Sequence, residues 1–217
     1  MRRKVVFKEG KFYHIFNKSI ANFGIFRNLD NGLRFLKAVD YYNNLSPKIN
    51  LGLFLVNNQK FQPNVLLPKD NNIVKFISYC VMPDHYHFLL RILIDDVFSK
   101  YIADVENSFT RFFNIKFDRK GPLWQSSFKA VRVKSNEQLL HLSRYIHLNP
   151  TTADLANFPE EWPLSSYKEF ISDPTVLKEL LTEISISKPL SYKKFVEDRK
   201  DYQKKLNLIK KLVFDQF

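Results

Sequence analysis

The chain has 217 residues, 45% of them apolar and 15% aromatic, enough to bury one sizeable core, so it is not a disordered polymer. Its 34 Lys and Arg against 22 acids leave a charge of +12, which suits a polyanion partner because each cation near a phosphate releases condensed counterions; DNA, RNA, ribosome and membrane surface all remain open on charge alone. The single cysteine, Cys80, excludes an internal disulfide and a thiolate-built zinc site and reads as a buried apolar residue, while no apolar run reaches the ~18–20 residues that span a bilayer and no signal-peptide pattern follows Met1-Arg2-Arg3-Lys4, so the chain reads as cytoplasmic.

In chain order, Phe12 to Asn17 alternates as a short strand after Gly10. Residues 29 to 44 have helical spacing at Leu33, Leu36 and Val39 and close at Asn43-Asn44. Leu51 to Val56 reads as an extra strand inside a polar stretch, 45–72, that looks inserted. Ile73 to Val81 and His85 to Ile92, broken by Pro83-Asp84, form an antiparallel hairpin. Asp95 or Asp96 is expected to cap a helix running to about Phe117, with Val97, Tyr101, Val105, Phe109 and Phe112 on one side. A turn at 118–121 precedes a strand over 128–133. Ser135 to Gln138 has the spacing of a capping box and opens a helix that ends near Pro150. The order strand, helix, two strands, helix, strand, helix predicts an α+β, ferredoxin-like antiparallel sheet with helices on one face. Beyond about residue 171 the chain reads as a basic helical extension. We therefore divide it into a domain over 1–170 and a tail over 171–217.

Two patterns carry chemistry. In His85-Tyr86-His87, residues two apart on a strand face the same way, so both imidazoles can converge on one divalent ion while Tyr86 points away. An isolated His-x-His pair is more often two packed histidines; the ligand reading gains here because the chain has five histidines and this pair opens an otherwise apolar strand. In the following helix His141, Tyr145 and Asn149 recur at i, i+4 and i+8 and share a stripe. A tyrosine hydroxyl can attack phosphorus once its proton is removed or its charge is matched, and an amide oxygen one turn later can add a ligand. A helical tyrosine is also an ordinary packing residue. Arg111, Lys116, Arg119, Lys120, Lys129, Arg132 and Lys134 surround Trp124 and Phe128, an arrangement suited to single-stranded or hairpin DNA. The charges are better candidates for contact than the rings, which fit the core.

Four ordered segments, together with a closing one, tie these patterns to a family. Val81-Met82-Pro83-Asp84-His85-Tyr86-His87-Phe88-Leu89-Leu90 resembles the histidine–hydrophobe–histidine motif of the single-tyrosine HUH transposases, the insertion-sequence transposases and their REP-associated relatives. Tyr13 to Lys18 resembles their first strand, Gly121 to Lys129 their glycine-leucine-tryptophan-glutamine stretch, Ser143 to Pro150 their tyrosine helix, and Trp162 to Tyr167 their closing segment. The resemblance spans about residues 10 to 170. It implies a transposase that cuts and rejoins single-stranded DNA at hairpin-forming ends, with His85, His87 and Asn149 as metal ligands, Mg2+ or Mn2+ as the ion, and Tyr145 as the nucleophile forming a 5′-phosphotyrosine link. Tyr86 stands where the family has a bulky hydrophobe. The residues alone leave a non-catalytic DNA- or RNA-binding protein open. Whether the enzyme is a homodimer, and whether Tyr145 acts in its own subunit, is not decided by the sequence.

Overall fold

The structure, a computed structural model, describes residues 6–47, 49–67, 69–172 and 189–198. The basic stretch beyond residue 198 lies outside the described residues, as does 173–188. The elements are β1 (Phe12–Lys18), α1 (Leu29–Tyr42), α2 (Leu51–Asn57), β2 (Val74–Val81), β3 (His85–Ile92), α3 (Phe98–Lys116), β4 (Lys129–Val133), α4 (Asn136–Thr152), α5 (Tyr167–Ser172) and α6 (Pro189–Glu197). They fall into two compact units, one of Met1–Ile77 with Val81–Val133, the other of Ser78–Cys80 with Lys134–Phe217.

The first unit is built on a four-stranded sheet of order β2-β3-β1-β4, the ferredoxin-like order expected from the alternation of elements. β1 lies at its centre, antiparallel to β3 and β4, pairing Phe16 with His87 on one side and with Lys129 on the other. Because side chains alternate, this register sorts each strand into two faces. Tyr13, Ile15, Tyr86, Phe88 and Leu90 form one face and are fully buried. α1 covers it through Phe35, whose ring lies 5.2 Å from Tyr86 and 6.0 Å from Phe88. α3 adds Phe109, 5.4 Å from Phe35. Trp124 packs against Phe26, Phe35 and Tyr86, and Phe128 against Phe7 and Phe98, so both rings belong to the core and not to a stacking surface.

The polar departure at Tyr86 is matched inside this core. The Tyr86 hydroxyl donates to Glu106 Oε1 at 2.8 Å, and Asn17 Nδ2 donates to the same oxygen at 2.8 Å. Replacing Glu106 with Ala leaves Tyr86 and Asn17 short of an acceptor and opens a cavity. We expect Glu106→Ala to destabilise the protein by about 3 kcal/mol in urea unfolding, and Glu106→Gln, which keeps an acceptor, by no more than about 1 kcal/mol.

Four local expectations are corrected. Leu51 to Val56 is not a strand but helix α2, because Asn50 caps it by accepting from Leu53 N at 2.9 Å and because Phe54 packs on Tyr41 one ring away at 4.6 Å. Neither Asp95 nor Asp96 caps α3: the N-cap is Val97, with no side-chain cap, since Asp95 accepts from the Glu9 backbone instead and Asp96 turns the chain at φ 63°. Phe113, not Phe112, completes the buried face of α3. The tyrosine helix does not stop at Pro150 but runs through it to Thr152. A proline there removes only the donor to Ile146, and the burial of residues 146–151 holds the last turn together.

The stretch 45–72 is tied to the end of α1. Asp40 accepts from Asn64 N at 3.1 Å and pairs with Lys69 Nζ at 2.6 Å, while Asn43 Oδ1 accepts from the backbone of Ile73 and Val74 at 3.0 Å each.

Candidate active site

The two-residue turn of Pro83-Asp84 is closed by Met82 N donating to His85 O at 2.8 Å, and it sets the phase of β3. His85 and His87 consequently share the face opposite Tyr86, their rings 5.0 Å apart and nearly perpendicular at 88°. Two neighbours that the sequence reading did not single out hold them. Asp84 Oδ1 lies 2.5 Å from His85 Nδ1, an arrangement in which a carboxylate fixes the ring and tautomer and directs Nε2 outward. Asp84 also meets Lys18 Nζ at 3.4 Å. His14, on β1, places Nε2 3.0 Å from His87 Nδ1, with the rings stacked 5.1 Å apart.

Burial decides the charge of these rings. It lowers the pKa of His14 to about 4 and that of His87 well below its ordinary value, the latter helped by the positive charge that His85 and His14 would carry. Both are neutral nitrogen donors near pH 7. Burial alone would raise the Asp84 carboxyl, but the hydrogen bond and charge of His85, and those of Lys18, outweigh it and keep the group anionic. Among the described residues no three His, Cys, Asp or Glu side chains form a metal-holding group. Were an ion to bind on this face, His85 and His87 are the imidazoles that would meet it, and its other ligands would be oxygens outside this set. Across the same face, Lys129, Phe16 and His87 stand in one cross-strand row.

In the second unit, α4 starts at Ser135, whose side chain accepts from Gln138 N at 3.1 Å; Gln138 Oε1 reaches back to Lys134 N rather than to Ser135, a one-residue variant of the expected box. Tyr145 is 40% exposed, whereas Asn149, one turn on, is buried with Nδ2 lacking a hydrogen-bond partner. Burial pushes the Tyr145 phenol above its usual pKa, with a smaller push from Cys80, so it is protonated at neutral pH. His141 sits exposed on the same helix and turns to Arg144, 2.8 Å from its Nδ1. Cys80 is a buried thiol, as its composition suggested.

Behind Tyr145 runs a polar chain. Ser143 Oγ donates to Leu140 O at 2.8 Å and accepts from Tyr192 Oη at 3.0 Å. Tyr192 Oη also lies 2.7 Å from His147 Nδ1. His147 is buried and its pKa lowered by that burial to about 3, so the ring is neutral, with Nε2 2.8 Å from Ser166 Oγ. Ser166 Oγ in turn accepts from Tyr79 N at 2.9 Å.

The basic residues divide by role. Arg119 is tied into its own turn, donating to Asn114 Oδ1 at 2.7 Å and Pro122 O at 3.0 Å, and Lys116 donates to Asn31 Oδ1 at 2.8 Å. Arg111, Lys120, Lys129, Arg132 and Lys134 are exposed.

The sequence family described as IS200-like transposase matches residues 67–149, from just before β2 to Asn149, taking in His85, His87 and Tyr145. This segment, rather more than a third of the chain, is what resembles the IS200-like transposases. A Haemophilus influenzae protein assigned to the REP-associated tyrosine transposases is 27% identical over 101 residues, 42% of this chain, and the match spans only 57% of that relative's length. A solved structure of a REP-associated tyrosine transposase bound to a REP hairpin shares the fold at a TM-score of 0.57 and 14% identity, over 80% of this chain and 86% of the other. Among the described residues, no helix is long and apolar enough to cross a membrane.

Proposed function

We propose that this protein is a transposase that cleaves and rejoins single-stranded DNA at hairpin-forming ends through a covalent link to Tyr145. The observation that carries the reading is the pair of imidazoles, His85 and His87, sharing one sheet face, with His85 braced by a carboxylate on Nδ1. The transposase segment spans these residues and the tyrosine helix together, and the hairpin named for the structural neighbour motivates the form of the DNA.

His85 and His87 would hold the divalent ion, with Asn149 as a further ligand. When bound, Mg2+ or Mn2+ supplies Lewis-acid polarisation of the scissile phosphate and stabilises the leaving oxygen. Tyr145 Oη forms a bond to phosphorus as the P–O3′ bond breaks; the phenol gives up its proton and the departing 3′-oxygen takes one, leaving a 5′-phosphotyrosine and a free 3′-hydroxyl. In the reverse sense a 3′-hydroxyl attacks the phosphotyrosine, the tyrosine leaves, and the strands are joined without a nucleotide cofactor. The raised pKa of Tyr145 makes the loss of that proton the chemical demand on the site.

The test is incubation of the purified protein with an end-labelled pool of single-stranded hairpins and Mn2+ or Mg2+, followed by a denaturing gel. A protein–DNA adduct that chelator abolishes supports the reading; tight DNA binding without adduct over the whole pool replaces it with a binding protein. The positions of the cations give a second expectation. Lys129 shares the histidine face, so Lys129→Ala should lower the slope of log affinity against log salt by about 0.7 for a single strand. Arg119→Ala, which loosens a turn, should change melting temperature more than salt slope. Both are read by fluorescence anisotropy across a salt series.

A further inference from the structure

We propose that α6 is a clamp on the tyrosine helix and that Tyr192 is a positioning residue for Tyr145; the proposal rests on the reading of Tyr145 as nucleophile. Tyr192 Oη takes hold of α4 at two points, 3.0 Å from Ser143 Oγ and 2.7 Å from His147 Nδ1. These residues precede and follow Tyr145 by two. At about 100° of helical rotation per residue, both project about 160° away from it. The grip is therefore on the back of the turn that presents the phenol at the surface.

The contact is built, not incidental. Tyr192, Ser143 and His147 are fully buried, and hydrogen-bond contacts run unbroken from Ser166 through His147, Tyr192 and Ser143 to Leu140. A second grip lies one residue before the nucleophile: the Arg144 guanidinium stacks 4.3 Å from the centre of the Phe195 ring. α6 is fastened on its other side as well, by Lys193 Nζ to Glu160 at 3.2 Å and by Tyr167 Oη to Glu197 at 3.4 Å. It thus links the tyrosine-bearing turn to α5 and to the short helical turn at Pro159–Glu161. Attack on phosphorus requires the phenol oxygen in line with the leaving oxygen, and displacements near 1 Å reduce such rates by about 100-fold. A helix held from behind at 143, 144 and 147 fixes that position. A part of the chain that the sequence reading left without a role thereby acquires one.

The test compares wild type with Tyr192→Phe, which removes one oxygen and keeps the ring, and with Ser143→Ala, which removes one of the two bonds. Three quantities are read on the full chain: hairpin affinity, the rate of adduct formation at saturating DNA, and hydrogen exchange of the backbone amides over 143–149. Tyr192→Phe is expected to leave affinity within twofold, slow adduct formation at least tenfold, and speed exchange of those amides at least tenfold. Ser143→Ala is expected to slow adduct formation about threefold. A merely stabilising contact would lower the melting point and leave the saturated rate of the folded protein unchanged. A Tyr192→Phe rate within twofold of wild type, with wild type forming its Tyr145-dependent adduct, overturns the clamp and leaves the nucleophile reading intact. Should Tyr192→Phe be unfolded at the assay temperature, Ser143→Ala decides, and a rate equal to wild type overturns the clamp. No Tyr145-dependent adduct in wild type overturns both.

Discussion

Tyr145→Phe is expected to abolish the DNA adduct while leaving hairpin binding within twofold of wild type. The substitution removes one oxygen from a side chain that is 40% exposed, and the ring that packs on α4 remains. The fold should be unaffected. What disappears is the atom that bonds to phosphorus, and no loosening of the site substitutes for it, so the rate of adduct formation should fall by at least about a thousandfold. Burial holds the Tyr145 proton more tightly than in a free phenol, so the wild-type rate should rise with pH through the neutral range, as the phenolate becomes easier to reach. Single-turnover time courses on denaturing gels at several pH values measure both. An adduct of undiminished yield in Tyr145→Phe would assign the nucleophile to another residue, and a flat pH profile would put proton removal outside the slow step.

Acidification should destabilise the metal-free protein steeply from pH 6.5 downward. His147 has a pKa near 3 and His14 near 4 in the folded chain, both lowered by burial from 6.5. Between pH 6.5 and 4 the unfolded chain binds two protons that the folded chain refuses. Stability is then fully present above pH 6.5 and is lost as pH falls, by up to about 2.7 kcal/mol per unit for the two rings together. Below pH 4 His14 drops out, and His147 continues to contribute until its own folded pKa is passed. His87, shifted in the same direction, adds to the effect. Urea unfolding in chelator at pH 7.5, 6.5, 5.5 and 4.5 reads the slope. His147→Asn keeps an amide near the Nδ1 position and removes the titration, so it should reduce the slope by one ring's share, about 1.4 kcal/mol per pH unit. Equal slopes in mutant and wild type would mean that His147 does not stay neutral on folding.

Much of the fold was legible because its signals are local. Period-two alternation located β1 and β3, Pro83-Asp84 marked the break between β2 and β3, and the spacing from Ser135 to Gln138 located the start of α4. The expectations that missed were those in which a distant partner decides. Leu51 to Val56 is a short apolar run that fits strand or helix, and Asn50 with Tyr41 settles it as helix. Asp95 is drawn from its capping place by Glu9. At the site, the spacing of His85 and His87 placed both rings on one face. Asp84 was adjacent in sequence and could have been found as their support; His14 could not, because its place beside His87 depends on the register between β1 and β3. The clamp on α4 was out of reach for the same reason: Tyr192 is 45 residues from His147 in sequence and meets it only in space.

Strand β3 carries two interleaved instructions, and that limits how this chain can change length. Residues 86, 88 and 90 bury aromatic and aliphatic bulk beneath α1, while 85 and 87 put imidazoles on the opposite side. A single codon gained or lost between Met82 and His85 would exchange the two sets, driving histidines into the core and turning Tyr86 and Phe88 out of it. Two codons would restore the faces, though not the turn that aligns Asp84 with His85. The stretch between α1 and β2 has no such parity to keep. Length variation among relatives should therefore collect between residues 45 and 72 and be absent from 82 to 92, a pattern of insertions and deletions set by the pleat of one strand.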